Sequence, residues 1–442
     1  MTSRHRLAFA IFAAAIAVPG PGFAQARPEF VPLGRLSAAL YRPDAGPAPH
    51  VAFVIMHRTA NSLNHIGCTE LSKRGFLVLC MNTRFVNNEA QVRWEDTPLD
   101  VKAGVEYLRR QPGITRVVLF GHSGGGPLMS FYQAVAEKGP GYCRGANKLV
   151  ACGDELNGLP RADALVFADA HPGNPVQVLR ALNPSVVMEG GRLRVIQELD
   201  PFDPKNGFNA TERSQYSKEF QDRYYKAQAQ RMSERIAAAL AAQQRMKNAD
   251  YPFPDDDVVI IPAGGNPGAG AGGDATLAGL DPGILDLMTT AKPQKLLKND
   301  GTVVTGIVKS VAVPDPEVAR TNRAFDTGTR IFTIKSFLSA NAVRATDARD
   351  GIDHCSSNNS TTCAVQSIST PILIAAMGGY RFVRDDEVIF EKAASSDKDY
   401  VVIEGALHGF SPCTACERTP GQYSNTVRNF FDYIAKWTNA RF

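Results

Sequence analysis

The sequence predicts an α/β protein with a mostly parallel, doubly wound sheet, and two observations carry this prediction. Short runs that are apolar at every position recur along the chain, and amphipathic stretches separate them. A strand that is apolar throughout is buried on both faces, as in a parallel sheet covered by helices. The predicted strands are Val51–Met56, Phe76–Cys80, Val117–Phe120, Ala164–Ala168, Ile372–Ala376 and Tyr400–Ile403. The predicted helices are Ser62–Arg74, Pro98–Arg110 and Val427–Trp437.

These runs divide the chain into a split core, residues 27–170 and 366–442, and an insertion, residues 171–365. The insertion breaks the alternation of strand and helix. Asn209 with Glu212 offers a helix cap, and the stretch onward to about Lys247 has helical periodicity. Residues 261–283 are rich in Gly, Pro and Ala and predict a flexible linker. We expect a mainly helical lid over the carboxyl ends of the strands; the alternative is an elaboration remote from the chemistry.

Residues 1–26 have the pattern of a secretory signal peptide. Two arginines precede an apolar run of about 12 residues, and the segment ends in Ala24-Gln25-Ala26, a small-residue cleavage site. That run is shorter than the about 20 residues needed to span a bilayer. The prediction is an exported protein, periplasmic or secreted, cleaved near Ala26 and without stable membrane insertion; an uncleaved anchor is the alternative.

Charge and cysteine content narrow the possible partners and compartment. The formal net charge is +4, from 48 basic and 44 acidic residues, which argues against a nucleic-acid partner. The even number of cysteines, 8, suits disulfides in an oxidising compartment. A lone C-x-x-C at 413–416 favours a local disulfide over a metal or redox site. The expected pairs are Cys143–Cys152, Cys355–Cys363, Cys413–Cys416 and Cys68–Cys80.

The strongest chemical signal is Gly121-His122-Ser123-Gly124-Gly125, which follows a predicted strand and precedes an apolar helical run. It fits G-x-S-x-G, in which a serine sits at a strained strand-to-helix turn and its neighbours need to lack side chains. The turn lifts the hydroxyl clear of the sheet and aims helix N–H groups at a developing oxyanion. Ser123 is therefore the predicted nucleophile, with a coincidental turn as the alternative.

A serine needs a base to accept its proton, and histidine has a suitable pKa. His408 is the best placed, because it follows the last predicted strand at a Gly-rich turn. The other histidines expected near a site are His57, His65, His122 and His171.

Together, the motif, the strand order and the late histidine resemble the α/β-hydrolase superfamily, in its exported bacterial, serine esterase-like form. The resemblance covers the two core segments, about half of the chain. It implies an oxyanion hole formed by the backbone N–H of Gly124 and by a second N–H after the first predicted strand. The family's common His-Gly there is His57-Arg58 in this chain, so the second donor is expected at Arg58 or Thr59.

The acid of the triad is left open between two positions. Family members usually carry it just after the strand that corresponds to Ile372–Ala376, where this chain has no acid. The cluster Asp385, Asp386 and Glu387 comes several residues later, at the start of a helix, where acids also suit the helix dipole. Asp169 directly follows the strand Ala164–Ala168, and some relatives carry the acid of the triad at this position. Asp169 is preferred, with Asp385 or Asp386 as the alternative acid.

The predicted function is hydrolysis of a carboxylic ester, of a small molecule and possibly a bulky one, through an acyl-enzyme on Ser123. The resemblance implies no cofactor and no metal. Peptidase, amidase or acyltransferase activity on the same fold is an alternative within enzymes. A catalytically silent binding protein is an alternative from another class. The oligomeric state is left open.

Overall fold

The computed structural model describes residues 28–262, 277, 280–281, 283–284, 288–312 and 329–442. The predicted signal peptide and most of the predicted Gly-rich linker lie outside the described residues. None of the helices within these ranges is long and apolar enough to cross a membrane.

Strands and helices are numbered along the chain. The strands are β1 (Glu29–Leu33), β2 (Leu36–Tyr41), β3 (Val51–Ile55), β4 (Leu77–Met81), β5 (Arg116–His122), β6 (Ala164–Ala168), β7 (Val186–Glu189), β8 (Arg192–Val195), β9 (Val258–Ile261), β10 (Gln294–Leu297), β11 (Val303–Gly306), β12 (Arg330–Thr333), β13 (Arg344–Ala345), β14 (Ile352–Asp353), β15 (Ile372–Met377) and β16 (Lys398–Ile403). The longer helices are α1 (Ile66–Ser72), α2 (Thr97–Arg109), α3 (Gly125–Lys138), α4 (Asn174–Ala181), α5 (Lys218–Lys247), α6 (Val383–Lys392) and α7 (Thr426–Asn439).

Within the described ranges, ten strands form one sheet in the order β1-β2-β4-β3-β5-β6-β15-β16-β10-β11. The strands from β4 to β10 in this order run parallel, and antiparallel partners flank them at both ends. This is the α/β-hydrolase fold, and the predicted mostly parallel, doubly wound α/β sheet is confirmed. The carboxyl ends of parallel strands share one edge of the sheet, so the residues that follow β3, β5, β6, β15 and β16 converge there.

Burial explains why the central strands are apolar throughout. Along β3, Ala52 and Val54 belong to one hydrophobic cluster, whereas Val51, Phe53 and Ile55 belong to another. Since successive side chains of a strand point to opposite faces, the two clusters are cores on the two sides of the sheet. Helix α7 covers the second core with a buried stripe of Phe430, Phe431, Ile434 and Trp437.

The insertion between β6 and β15 has a third core of its own, in which α4 and α5 pack together with Phe332, Phe337 and Leu338. Helix α5 begins later than the sequence suggested. Its cap is Ser217, whose Oγ accepts the N–H of Phe220, whereas Asn209 accepts the N–H groups of Thr211 and Glu212 in a separate turn. Besides these helices, the described part of the insertion contains the short strands β7–β9 and β12–β14.

Residues 294–306 differ from the prediction that 171–365 is all lid. Strand β10 pairs parallel to β16, and β11 folds back on β10, so both extend the central sheet. The apolar run in β10 is too short to stand out, since only Leu296 and Leu297 are apolar. Asp300-Gly301, with Gly301 at φ +88°, is a typical hairpin signal that could have revealed the pair.

All eight cysteines are described, and the structure brings them together in the four pairs that the sequence suggested, Cys68–Cys80, Cys143–Cys152, Cys355–Cys363 and Cys413–Cys416. Each pair is local in sequence, with separations of 3 to 12 residues.

Candidate active site

Ser123 stands at the turn between β5 and α3 with φ +54°, a left-handed conformation that is strained for a residue with a side chain. Close backbone contacts explain why glycines flank Ser123. A Cβ on Gly121 would lie 2.8 Å from the backbone nitrogen of Gly126, and a Cβ on Gly125 would collide with the carbonyl oxygen of Met56. The turn is held by hydrogen bonds from Ser123 N–H to Ala168 and from Gly126 N–H to Ser123. The motif therefore has the strand–turn–helix context that G-x-S-x-G requires.

His408 and Asp169 are brought into direct contact. The His408 Nδ1 atom lies 2.5 Å from Asp169 Oδ2, and Asp169 is fully buried. The other carboxylate oxygen, Oδ1, accepts the N–H of Met377 at 3.0 Å. Asp169 has φ +45°, directly after β6, and its own N–H donates to Ala375. Both carboxylate oxygens are thus used to fix the carboxylate against the histidine ring.

Aromatic rings hold the imidazole of His408 from several sides. Tyr380 stacks on it with 4.5 Å between centroids, and Phe382 meets it edge-on at 5.7 Å. The ring of His122, the residue before Ser123, lies 4.6 Å away. The His122 Nε2 atom also lies 2.8 Å from the backbone oxygen of His408, which ties the histidine turn to the serine turn.

The hydrogen bonds of His65 and His122 fix their tautomers. His65 Nδ1 accepts the N–H of Gly67, so its proton is on Nε2, which lies 3.1 Å from His122 Nδ1. His122 then donates from Nε2 to His408. Burial, with a smaller contribution from His408, lowers the pKa of His65 to about 4, and burial also lowers the pKa of His122 well below its usual value. Both rings are therefore neutral near pH 7, and this pairing was not predicted from the sequence.

The alternative acids are placed differently from Asp169. Asp385 forms a two-oxygen contact with Arg180 at 3.0–3.1 Å. Asp386 is fully buried, and burial, followed by the charges of Asp169 and Asp385, raises its pKa well above the usual value. This shift favours the neutral form of the Asp386 carboxyl group. No hydrogen bond joins either residue to His408 in the described part of the chain.

On the opposite side of the serine turn, the loop after β3 contains His57, Arg58 and Thr59. The His57 Nδ1 atom accepts the N–H groups of Thr59 and Ala60 at 3.1 and 2.7 Å. The N–H of Thr59 is therefore occupied. Within the described ranges, the backbone N–H groups of Arg58 and Gly124 have no hydrogen-bond acceptor.

His57 and His171 also border the site as neutral rings. Burial, and next the charge of Arg58, lowers the pKa of both well below the usual value. The pKa of Arg330, from strand β12 of the insertion, is lowered by burial and by the charges of Arg58 and Arg381, which places the insertion within electrostatic range of the site. Among the described residues, no cluster of His, Cys, Asp and Glu has the geometry of a metal site.

Comparisons with known proteins give likeness at the level of solved structures alone. No family model and no curated protein matches the chain. A hypothetical protein from Pseudomonas aeruginosa is 15% identical over 95% of this chain and 95% of its own, with a TM-score of 0.42. Brefeldin A esterase, a bacterial homologue of human hormone-sensitive lipase, is 12% identical over 97% of this chain and 81% of its own, with a TM-score of 0.40.

A monoacylglycerol lipase from Paleococcus ferrophilus is 11% identical over 91% of this chain and 99% of its own, with a TM-score of 0.38. At these identities and TM-scores, the likeness says nothing about activity or substrate. The fold rests on the strand order of the chain itself.

Proposed function

We propose that this protein is a serine hydrolase that cleaves a carboxylic ester. One observation carries the proposal. The His408–Asp169 pair stands at the same sheet edge as Ser123, whose strained turn exposes a serine where a nucleophile is needed. A serine, a histidine and a buried carboxylate from three different strand ends have no common structural purpose, whereas acyl transfer uses all three.

In the first half of the reaction, Ser123 Oγ attacks the ester carbonyl and His408 Nε2 accepts the serine proton. Asp169 holds the Nδ1–H of His408, so that Nε2 is the free base, and stabilises the imidazolium that forms. His408 then gives the proton to the departing alcohol. An acyl-enzyme on Ser123 remains.

Two backbone donors suit the tetrahedral oxyanion. The Gly124 N–H directly precedes helix α3, and the Arg58 N–H belongs to the loop after β3; neither has an acceptor within the described ranges. Thr59, the other sequence candidate, is less suitable because its N–H is bonded to His57. In the second half of the reaction, water attacks the acyl-enzyme with His408 as the base, and the same donors stabilise the second oxyanion.

The insertion and the cysteines support two further parts of the proposal. Strand β12 of the insertion contacts the turn at Glu89–Gln91 beside Arg58, which suits a lid that shapes a pocket for a bulky acyl or alcohol group. Four cysteine pairs suit an oxidising compartment, in agreement with export of a protein whose N-terminal segment resembles a signal peptide.

The first test is labelling by a fluorophosphonate, followed by mass spectrometry of the modified peptide. We expect an adduct on Ser123 in the wild type and none in Ser123→Ala. Ser130→Ala is a matched control on the helix that follows the serine turn, because Ser130 Oγ is buried and donates to the backbone oxygen of Pro127, and it should label like the wild type. No adduct on the wild type would contradict the proposal and favour the silent binding protein.

Labelling does not separate ester hydrolysis from related acyl transfers, so a substrate series follows. Matched p-nitrophenyl esters and p-nitroanilides of increasing acyl length are compared by kcat/KM, with and without an added alcohol acceptor. Hydrolysis of the esters with little turnover of the anilides supports the proposal. Faster anilide cleavage would favour a peptidase or amidase, and transfer to the alcohol in preference to water would favour an acyltransferase.

A further inference from the structure

The side chain of Arg58 is enclosed at the candidate active site. It follows β3 and is only 1% exposed. Its Nη1 atom lies 2.6 Å from Glu89 Oε2, an ion pair that is close but not aligned as a hydrogen bond. Glu89 in turn accepts the hydroxyl of Thr59. One end of the guanidinium is thus anchored to a carboxylate that the same loop helps to orient.

The other end of the guanidinium lies over the serine turn. A Cβ built on Gly124 would be 2.9 Å from Arg58 Nε and 2.7 Å from His57 Nε2, so both side chains occupy the space that a side chain at position 124 would fill. Arg58 Nε is buried and has no hydrogen-bond partner among the residues that the structure describes. A buried donor without an acceptor is costly, and an orphaned N–H on a charged group is rare unless a ligand completes it.

Resting on the proposed function, we propose that Arg58 is a further catalytic residue whose side-chain Nε–H donates a hydrogen bond to the tetrahedral oxyanion. Its backbone N–H and that of Gly124 supply the other donors. When Ser123 Oγ bonds to the carbonyl carbon, the π electron pair moves onto the carbonyl oxygen, and this oxygen becomes the acceptor that Nε lacks. The arginine keeps its proton throughout.

One feature favours the oxyanion over a carboxylate of the substrate as the acceptor. The orphaned Nε lies beside Gly124, whose N–H is the proposed oxyanion donor, rather than at a distance along the acyl or alcohol group. A charge-assisted donor is roughly twice as strong as a neutral one, which suits a group that receives developing charge.

The test uses Arg58→Gln and Arg58→Lys, which keep the backbone N–H and remove the Nε–H of the guanidinium. The matched control is Arg93→Gln. It removes an exposed arginine that pairs with Asp96, three residues further along the chain. Each protein is assayed with two p-nitrophenyl esters that differ only by a terminal carboxylate on the acyl chain. A trifluoromethyl ketone analogue, which forms a stable oxyanion on the serine, is titrated in parallel, and melting temperatures report folding.

We expect Arg58→Gln to lower kcat by about 10²-fold or more, as for the loss of one oxyanion-hole donor. The loss should be equal for the neutral and the anionic ester, and the Ki of the ketone should rise in proportion. Arg93→Gln should match the wild type. A loss confined to the anionic ester, a loss in KM alone, or unchanged kcat and Ki would each overturn the proposal.

Two controls keep this result interpretable. If Arg58→Gln does not fold, Arg58→Lys preserves a positive charge for Glu89 and gives the same comparison of esters and ketone. If wild-type protein is not labelled at Ser123 by the fluorophosphonate, the proposed function itself has failed. Wild-type labelling together with full activity of the Arg58 variants would overturn the role of Arg58 alone.

Discussion

On the His408 side of the candidate active site, the acid is fully bonded within the protein, whereas on the Arg58 side several donors have no acceptor. Asp169 Oδ1 and Oδ2 are taken by Met377 N–H and by His408. Across the serine turn, Gly124 N–H, Arg58 N–H and Arg58 Nε–H are unbonded in the described part of the chain. The first side is complete without a substrate, whereas under the proposed function the second side is completed only by the tetrahedral oxyanion. This contrast is what preorganisation requires.

The largest expected effect comes from breaking the completed side. Asp169→Asn replaces the acceptor of His408 Nδ1–H by an amide, which disfavours the tautomer with a free Nε2. We expect kcat to fall by about 10⁴-fold with little change in KM, as for loss of the acid of a Ser-His-Asp triad. Steady-state kinetics and circular dichroism check this. Asp385→Asn is the matched comparison, and an equal fall there would mean that the acid had been wrongly assigned.

A smaller effect is expected on the open side. Gly124 has φ −65°, so alanine is allowed there by the backbone, but its Cβ would contact His57 Nε2 at 2.7 Å and Arg58 Nε at 2.9 Å. Gly124→Ala should displace both side chains and lower kcat by about 10²-fold, because small misplacements have large kinetic consequences. Gly141→Ala is the control, since nothing lies within 4 Å of its Cβ. Full activity of Gly124→Ala would show that these contacts do not matter.

The smallest expected effect concerns stability rather than rate. It involves Asp386, which is buried within electrostatic range of Asp169. Burial and the charge of Asp169 raise its pKa in the folded protein, so the folded state keeps a proton that the unfolded chain loses above about pH 4. Stability therefore falls as pH rises from about 4 toward the folded pKa. Asp386→Asn removes this titration, and its free energy of unfolding relative to wild type should increase with pH.

Urea unfolding at pH 5 and pH 8 measures this difference. Asp385→Asn serves as a contrast, because it loses the ion pair with Arg180 and should destabilise. A difference between Asp386→Asn and wild type that is the same at both pH values would show that Asp386 ionises normally in the folded protein.

Local rules and distant contacts explain what the sequence could and could not predict. The turn at Ser123 follows from its own glycines, and the central strands follow from apolar runs that need burial on two faces. Which of Asp169 and Asp385 contacts His408 depends on how the loop that carries His408, more than 200 residues after Asp169, packs in the fold. The sequence alone could not specify that packing. The pairing of His65 with His122 and the path of the Arg58 side chain are likewise set by packing among separate loops.

The hairpin β10–β11 shows the same limit and has a practical consequence. Because β10 belongs to the central sheet but lies within the insertion, residues 171–365 cannot be assigned to the lid as one continuous segment. Deleting residues 171–365 as one block would remove β10, one of the two neighbours of β16, and leave a bare, apolar sheet margin. Such margins recruit strands from other molecules. A shortened protein that retains 289–310 would keep that margin covered.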